Sequence, residues 1–227
     1  MDIFKIDITS WTASFRYPNL MTAYQPTLEV PPISTVLGLI NAAAGEYLKH
    51  KQLTIGYYFD YEVKAENDNA DLETVYKYGS DANGKLANKV TSDVIRREFL
   101  VNPFLRIYTP DAAIAELFKQ PYYQILLGRM NDLATVVKVE QAQLKKIPKA
   151  EKVRGQIVPL RGNFLAGQIQ PLPKYFTDTF PRQNIGTEPY SVIGAHSRPL
   201  SANFEAYRDI VHGKDVDIYF HQLNFEK

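Results

Sequence analysis

Cysteine is absent from the 227 residues, which excludes disulfides, thiolate nucleophiles and cysteine-ligated zinc. Histidine occurs four times, at His50, His196, His212 and His221, and no pair stands at metal-binding helical spacing beside a carboxylate. No metal and no cofactor is therefore expected. Gly155, Gly162 and Gly167 lack the Gly-Lys-Ser/Thr that completes a phosphate loop, and no Gly-x-Ser-x-Gly nucleophile elbow exists. A charge excess is missing too: 26 Lys+Arg stand against 25 Asp+Glu, a formal net of +1. No apolar run reaches the length of a membrane span, and Met1-Asp2-Ile3-Phe4-Lys5 opens in a strand pattern without a signal-peptide signature. A cytoplasmic protein with no membrane partner is expected.

What is present is an ordinary core-forming composition, 45% hydrophobic, with fifteen tyrosines and twelve phenylalanines. Tyrosine suits a β-rich core, and equally protein interfaces or base stacking. The balanced charge is unevenly spread. Residues 60–73 are acidic, with Asp60, Glu62, Glu66, Asp68, Asp71 and Glu73 against Lys64. Residues 74–97 and 138–161 are basic. Such blocks fit a polyanion on one face and another partner elsewhere, or simply solvated loops.

Residues 3–9 alternate as a half-buried strand, with Phe4, Ile6 and Ile8 on one face. Pro31-Pro32 ends an extended stretch, Ser34 or Thr35 can cap, and helical spacing runs from Ser34 to about Lys49. One stripe of that helix, Gly38, Ala42 and Gly45, is made of small residues, which implies a close approach. Residues 54–64 alternate with Ile55, Tyr57, Phe59, Tyr61 and Val63 inward. A polar span with an Asn83-Gly84 turn follows, then a strand over 98–108 bent at Pro103. Asp111 caps a short helix, and Gln124–Leu127 supplies a fourth strand. The pattern predicts an α+β, ferredoxin-like (RRM-like) βαββαβ domain over 1–136, without the aromatic RNP1 signature of RRM proteins. Residues 137–227, rich in Pro and Gly, read as a β-rich extension.

One cluster has enzymatic potential. Tyr47, Lys49, His50 and Lys51 supply the residue types of metal-free RNA cleavage, but basic residues at a helix C-terminus also complement its dipole.

The stretch Phe15-Arg16-Tyr17-Pro18, and then the run from Gln25 through Pro31-Pro32-Ile33-Ser34-Thr35 and Gly38 to Ala43-Ala44-Gly45, resembles the Cas-five family of CRISPR type I Cascade subunits, within the RAMP superfamily. Arg96-Arg97-Glu98-Phe99-Leu100 and Leu127-Gly128-Arg129 extend the likeness, which covers residues 1 to about 135 and looks more like a type I-B or related subunit. The resemblance implies a β-hairpin thumb, here about 74–97. It also implies binding of the five-prime handle of crRNA and packing against the Cascade backbone and large subunits, with target DNA near the PAM in reach. The RNA-binding residues expected on this basis are Arg16, Ser34, Thr35, Lys77, Lys85, Lys89, Arg96, Arg97 and Arg129. One branch of the family resembles a ribonuclease. No Lys-His pair follows the thumb here, so no catalytic residue is expected.

Overall fold

The structure, a computed structural model, describes residues 1–20, 23–80 and 86–225, with backbone alone at Ser80 and 86–89. The alternation at the start of the sequence becomes β1 (Asp2–Ser10), with Ile6 and Ile8 fully buried. Pro31-Pro32 leads into α1 (Ile33–Ala44). Pro32, with no amide hydrogen to satisfy, takes the N-cap position, and its carbonyl accepts from the Thr35 amide at 2.9 Å. Ser34 and Thr35, expected as caps, lie inside the first turn and make no cap bond.

α1 also stops earlier than its spacing predicts, at Gly45 rather than Lys49. Gly45 turns left-handed at φ 78°, and its amide donates to the carbonyls of Asn41 and Ala42. A Cβ there would lie 2.5 Å from the Tyr122 ring. Gly38 differs: it is exposed, and an added Cβ would meet nothing within 4 Å. The small-residue stripe is thus one open position and one helix cap.

β2 (Gln52–Asp60) carries Ile55, Tyr57 and Phe59 into the core. Val63, expected inward, is 58% exposed on a separate short strand, Val63–Ala65. β3 (Asp71–Ser80) and β4 (Leu86–Arg97) then form a long antiparallel hairpin, rooted three residues earlier than expected. The Asn83-Gly84 dipeptide and Lys85 lie outside the described residues. After a break at Asn102 (φ 50°) and Pro103 comes β5 (Phe104–Thr109). Asp111 caps α2 (Ala112–Leu117) by accepting from the Ala113 amide at 2.8 Å.

The run Gln124–Leu127 does not make the fourth long strand. It yields only β6 (Ile125–Leu126), because Gly128 (φ 123°) turns the chain and the Leu127 amide closes a loop onto the Asp132 carbonyl at 2.9 Å. The long strand is β7 (Leu133–Gln143). Its alternation is broken by a bulge where Asp7 faces Lys138 but Ile8 faces Val136, which hides it in the sequence.

The remainder supplies β8 (Gln156–Pro159), β9 (Gln168–Phe176), β10 (Asn184–Ile193), β11 (Ala206–Val211), β12 (Lys214–Ile218) and β13 (Phe220–Asn224). The main sheet runs β6-β7-β1-β5-β2-β13, all neighbours antiparallel. α1 and α2 cover one face, where Val36, Ile40, Ile114 and Phe118 join Ile6, Ile8, Leu105 and Ile107 in one core. The expected boundary after residue 136 falls within β7, and β13 returns to the same sheet. The fold is mixed α/β and mostly strand.

The other sheet face is closed over β1, β5 and β2 by the β11–β12 hairpin, while its β7 end around Thr9 and Thr135 stays open. Val211, Val216 and Ile218 pack on Tyr58 and Tyr108, and four charges lock the seam. Arg106 is bidentate to Asp7 at 2.6 and 2.7 Å and reaches Asp209 at 3.2 Å; Lys5 pairs with Asp209 at 2.6 Å, and the Tyr108 hydroxyl donates to it at 2.9 Å. Two cations meeting two carboxylates with full hydrogen bonding keep the desolvated charges compensated. This face is therefore not the open aromatic platform on which RRM proteins stack bases.

Candidate nucleic-acid interface

A groove of about 910 Å³ opens where the root of the β3–β4 hairpin, the start of α1, the 128–131 loop and β9 meet. It brings together Arg16, Ser34, Thr35, Arg97 and Arg129. Arg16 comes from the two-residue strand Phe15–Arg16, paired with Thr27–Leu28, so that Phe15 is buried and Arg16 exposed. Among the described residues Arg16 has no hydrogen-bond or ion-pair partner. Ser34 and Thr35 are half-buried in the first turn of α1.

Arg129 is held otherwise. Its Nε and Nη2 donate to Asp132, at 3.0 and 2.9 Å, while Nη1 donates to Asp71 at 2.6 Å and to Glu73 at 3.4 Å. Its guanidinium lies 5.4 Å from the Phe99 ring centre. Burial opposes its charge, but the Asp132 and Asp71 carboxylates outweigh burial and hold the guanidinium firmly protonated. Arg97 is 2% exposed and donates from Nε to Glu73 at 3.0 Å. Burial, then repulsion from Arg16, push its pKa down, and Glu73 pulls the other way.

The hairpin root is fixed by a second buried carboxylate. Glu98 accepts from the Tyr24 hydroxyl at 2.5 Å and from the Thr27 amide at 3.1 Å, and pairs with Lys64 at 2.9 Å. Burial would raise its pKa, yet these donors hold it below the usual carboxylate range. Beyond the root, register places Leu72, Tyr76, Tyr78, Val90 and Val94 on one face of the ribbon. All five are exposed, Tyr76 by 61% and Tyr78 by 67%.

The other expected contacts spread along this hairpin. Lys77 pairs with Asp93, and Arg96 reaches Asp68 at 3.3 Å, both at exposed positions. Lys89 lies on β4 by its backbone, and Lys85 lies outside the described residues. Asp71, Glu73 and Asp132 were not singled out as partners of the arginines. The available signal was Asp132 three positions after Arg129, and an acidic block that runs into the hairpin. Phe176 and Met130, which also line the groove, carried no signal.

The Tyr47–Lys51 cluster does not sit on a helix end. The Tyr47 hydroxyl donates to the Phe176 carbonyl at 2.7 Å, and Lys49 is exposed. His50 turns inward beside Phe225, its Nε2 buried without a partner among the described residues, and burial lowers its pKa. Among the described residues no group of three metal-ligating side chains is assembled, and no helix is long and apolar enough to cross a membrane.

Neither a family model nor a curated protein sequence matches the chain. Solved structures do. A chain of a CRISPR RNA-guided surveillance complex superposes with TM-score 0.56 at 18% identity, over 88% of this chain and 90% of that one. A chain of the type III-B Cmr-beta complex bound to cognate target RNA and AMPPnP superposes with TM-score 0.52 at 10% identity, over 89% and 86%. The chain has the fold of CRISPR-associated proteins. At these identities the likeness is one of fold, and the groove's chemistry must supply the function.

Proposed function

We propose that the chain is a non-catalytic RNA-binding subunit of a CRISPR type I Cascade complex, capping the five-prime handle of crRNA and joining the backbone subunit to the large subunit. The observation that carries this is the groove, where an exposed unpaired arginine and two helix-start hydroxyls meet beside an aromatic hairpin. A single strand needs cations for its phosphates and flat side chains for its bases. Arg16 supplies the first in the groove, and the exposed Tyr76 and Tyr78, farther along the hairpin on the face opposite Glu73 and Arg97, supply the second. The strand order supports the architecture that goes with this role. Taking β1, α1, β2, β5, α2 and β7 in turn gives βαββαβ, and their sheet order β7-β1-β5-β2 is that of a ferredoxin-like domain. Target choice in such a complex falls to base pairing by the guide, so this chain need recognise only handle and shape.

The test is a fluorescence titration of the pure protein with guide RNA carrying or lacking its five-prime handle, with precursor RNA incubated in EDTA alongside. Tighter binding of the handle-bearing RNA, left uncut, is expected. Equal binding of both RNAs refutes the capping role. Discrete fragments from the precursor refute the non-catalytic one.

A further inference from the structure

We propose that the three groove arginines divide their work: Arg16 takes the RNA phosphate, while Arg97 and Arg129 are positioning residues whose charge is consumed by carboxylates at the hairpin root. This rests on the RNA-binding reading of the groove and refines it.

The donors of each guanidinium show the division. A guanidinium has five N–H groups on three nitrogens. All three nitrogens of Arg129 already donate to Asp132, Asp71 or Glu73, and its side chain is 8% exposed. Asp132, fully buried, takes three further constraints from the same region: the Arg129 amide at 2.8 Å, the Thr12 hydroxyl at 2.6 Å and, through its carbonyl, the Leu127 amide. Arg129 thus ties the 128–131 loop and β1's exit to the first strand of the hairpin. Arg97, on the second strand, is tied to the same Glu73.

The charge count agrees. Two cations, Arg97 and Arg129, face three carboxylates, Asp71, Glu73 and Asp132, which leaves the root one negative charge in excess. A phosphate approaching Arg129 meets Asp71 and Glu73, whose side chains are 44% and 33% exposed. Among the described residues Arg16 carries no such counter-charge. Among those residues the groove therefore presents one available cation, and its acidic root opposes a second phosphate.

The experiment measures the salt dependence of guide-RNA binding and the melting temperature for Arg16→Gln, Arg129→Lys, Arg129→Gln and Asp71→Asn. Loss of a phosphate contact lowers the slope of log affinity against log salt by about 0.7 for a single strand. Arg16→Gln is expected to show that drop at an unchanged melting temperature. Lysine keeps the charge at 129 but not the planar fork. Both Arg129 variants are therefore expected to melt lower and bind more weakly in parallel, with the wild-type slope. Arg129→Lys restoring wild-type affinity while Arg129→Gln loses slope overturns the assignment. Asp71→Asn keeps an acceptor for Arg129 and removes one exposed negative charge, so binding is expected to tighten, by up to about fivefold. If the Arg129 variants do not fold, this arm decides: unchanged or weaker binding overturns the proposal. Absence of salt-dependent binding by the wild-type protein instead removes the RNA-binding reading beneath it.

Discussion

His221 shows how a side chain without a recognisable motif can acquire a defined task. It is 3% exposed, parallel to Tyr57 at 6.1 Å and packed near Tyr190 and Tyr219. Burial lowers its pKa from 6.5 to about 4. The unfolded chain therefore takes up a proton near pH 6.5 that the folded protein refuses until about pH 4. Stability is lost as pH falls through that window, by about 2–3 kcal/mol from this residue at pH 4.5. Glu98, Asp209 and Asp217 add losses of the same sign, since their folded pKa values are depressed. Urea unfolding at pH 7 and pH 4.5 separates the contributions. His221→Phe, which cannot titrate, is expected to lose about 2–3 kcal/mol less than the wild type. An equal loss in both proteins shows that His221 is already charged when folded.

Elements were legible in the sequence where a local rule sufficed, and obscure where a distant contact decided. β1 and the α2 cap at Asp111 follow from alternation and capping, whereas the hairpin was expected through the family resemblance. α1 was legible in its apolar face but not in its end, because Gly45 reads as one more small residue until Tyr122 is seen across it. β7 was missed because its bulge shifts the alternation halfway. The site divides the same way. Arg16, Ser34 and Thr35 were expected together only through the family resemblance, and the fold is what lines them along one groove, while the acid partners that occupy Arg97 and Arg129 converge from 24 to 58 residues away and from a loop. The two glycines of α1 make a direct comparison. Gly38→Ala adds a methyl in open space to a helix interior and is expected to stabilise by about 1 kcal/mol. Gly45→Ala forces a Cβ onto a left-handed residue and against Tyr122, and is expected to destabilise by about 1–2 kcal/mol. Thermal melts of the two variants should move in opposite directions; a shared direction contradicts the assignment of Gly45 as the cap.

On the scale of the whole molecule, the closed sheet face and the open groove make one argument. The seam formed by Lys5, Asp7, Arg106, Tyr108 and Asp209 commits the helix-free sheet face to β11. On the proposed function, RNA binding is left to the helix start, the hairpin and the ridge of β9. Photo-crosslinking of guide RNA bearing 4-thiouridine in its handle, followed by mapping of the modified peptides, tests that placement most directly. Crosslinks are predicted in residues 15–18, 128–131 and 172–176, and along the Tyr76–Tyr78 ribbon. Crosslinks concentrated instead on the sheet face around Thr9 and Thr135, with the groove peptides unmodified, would contradict it.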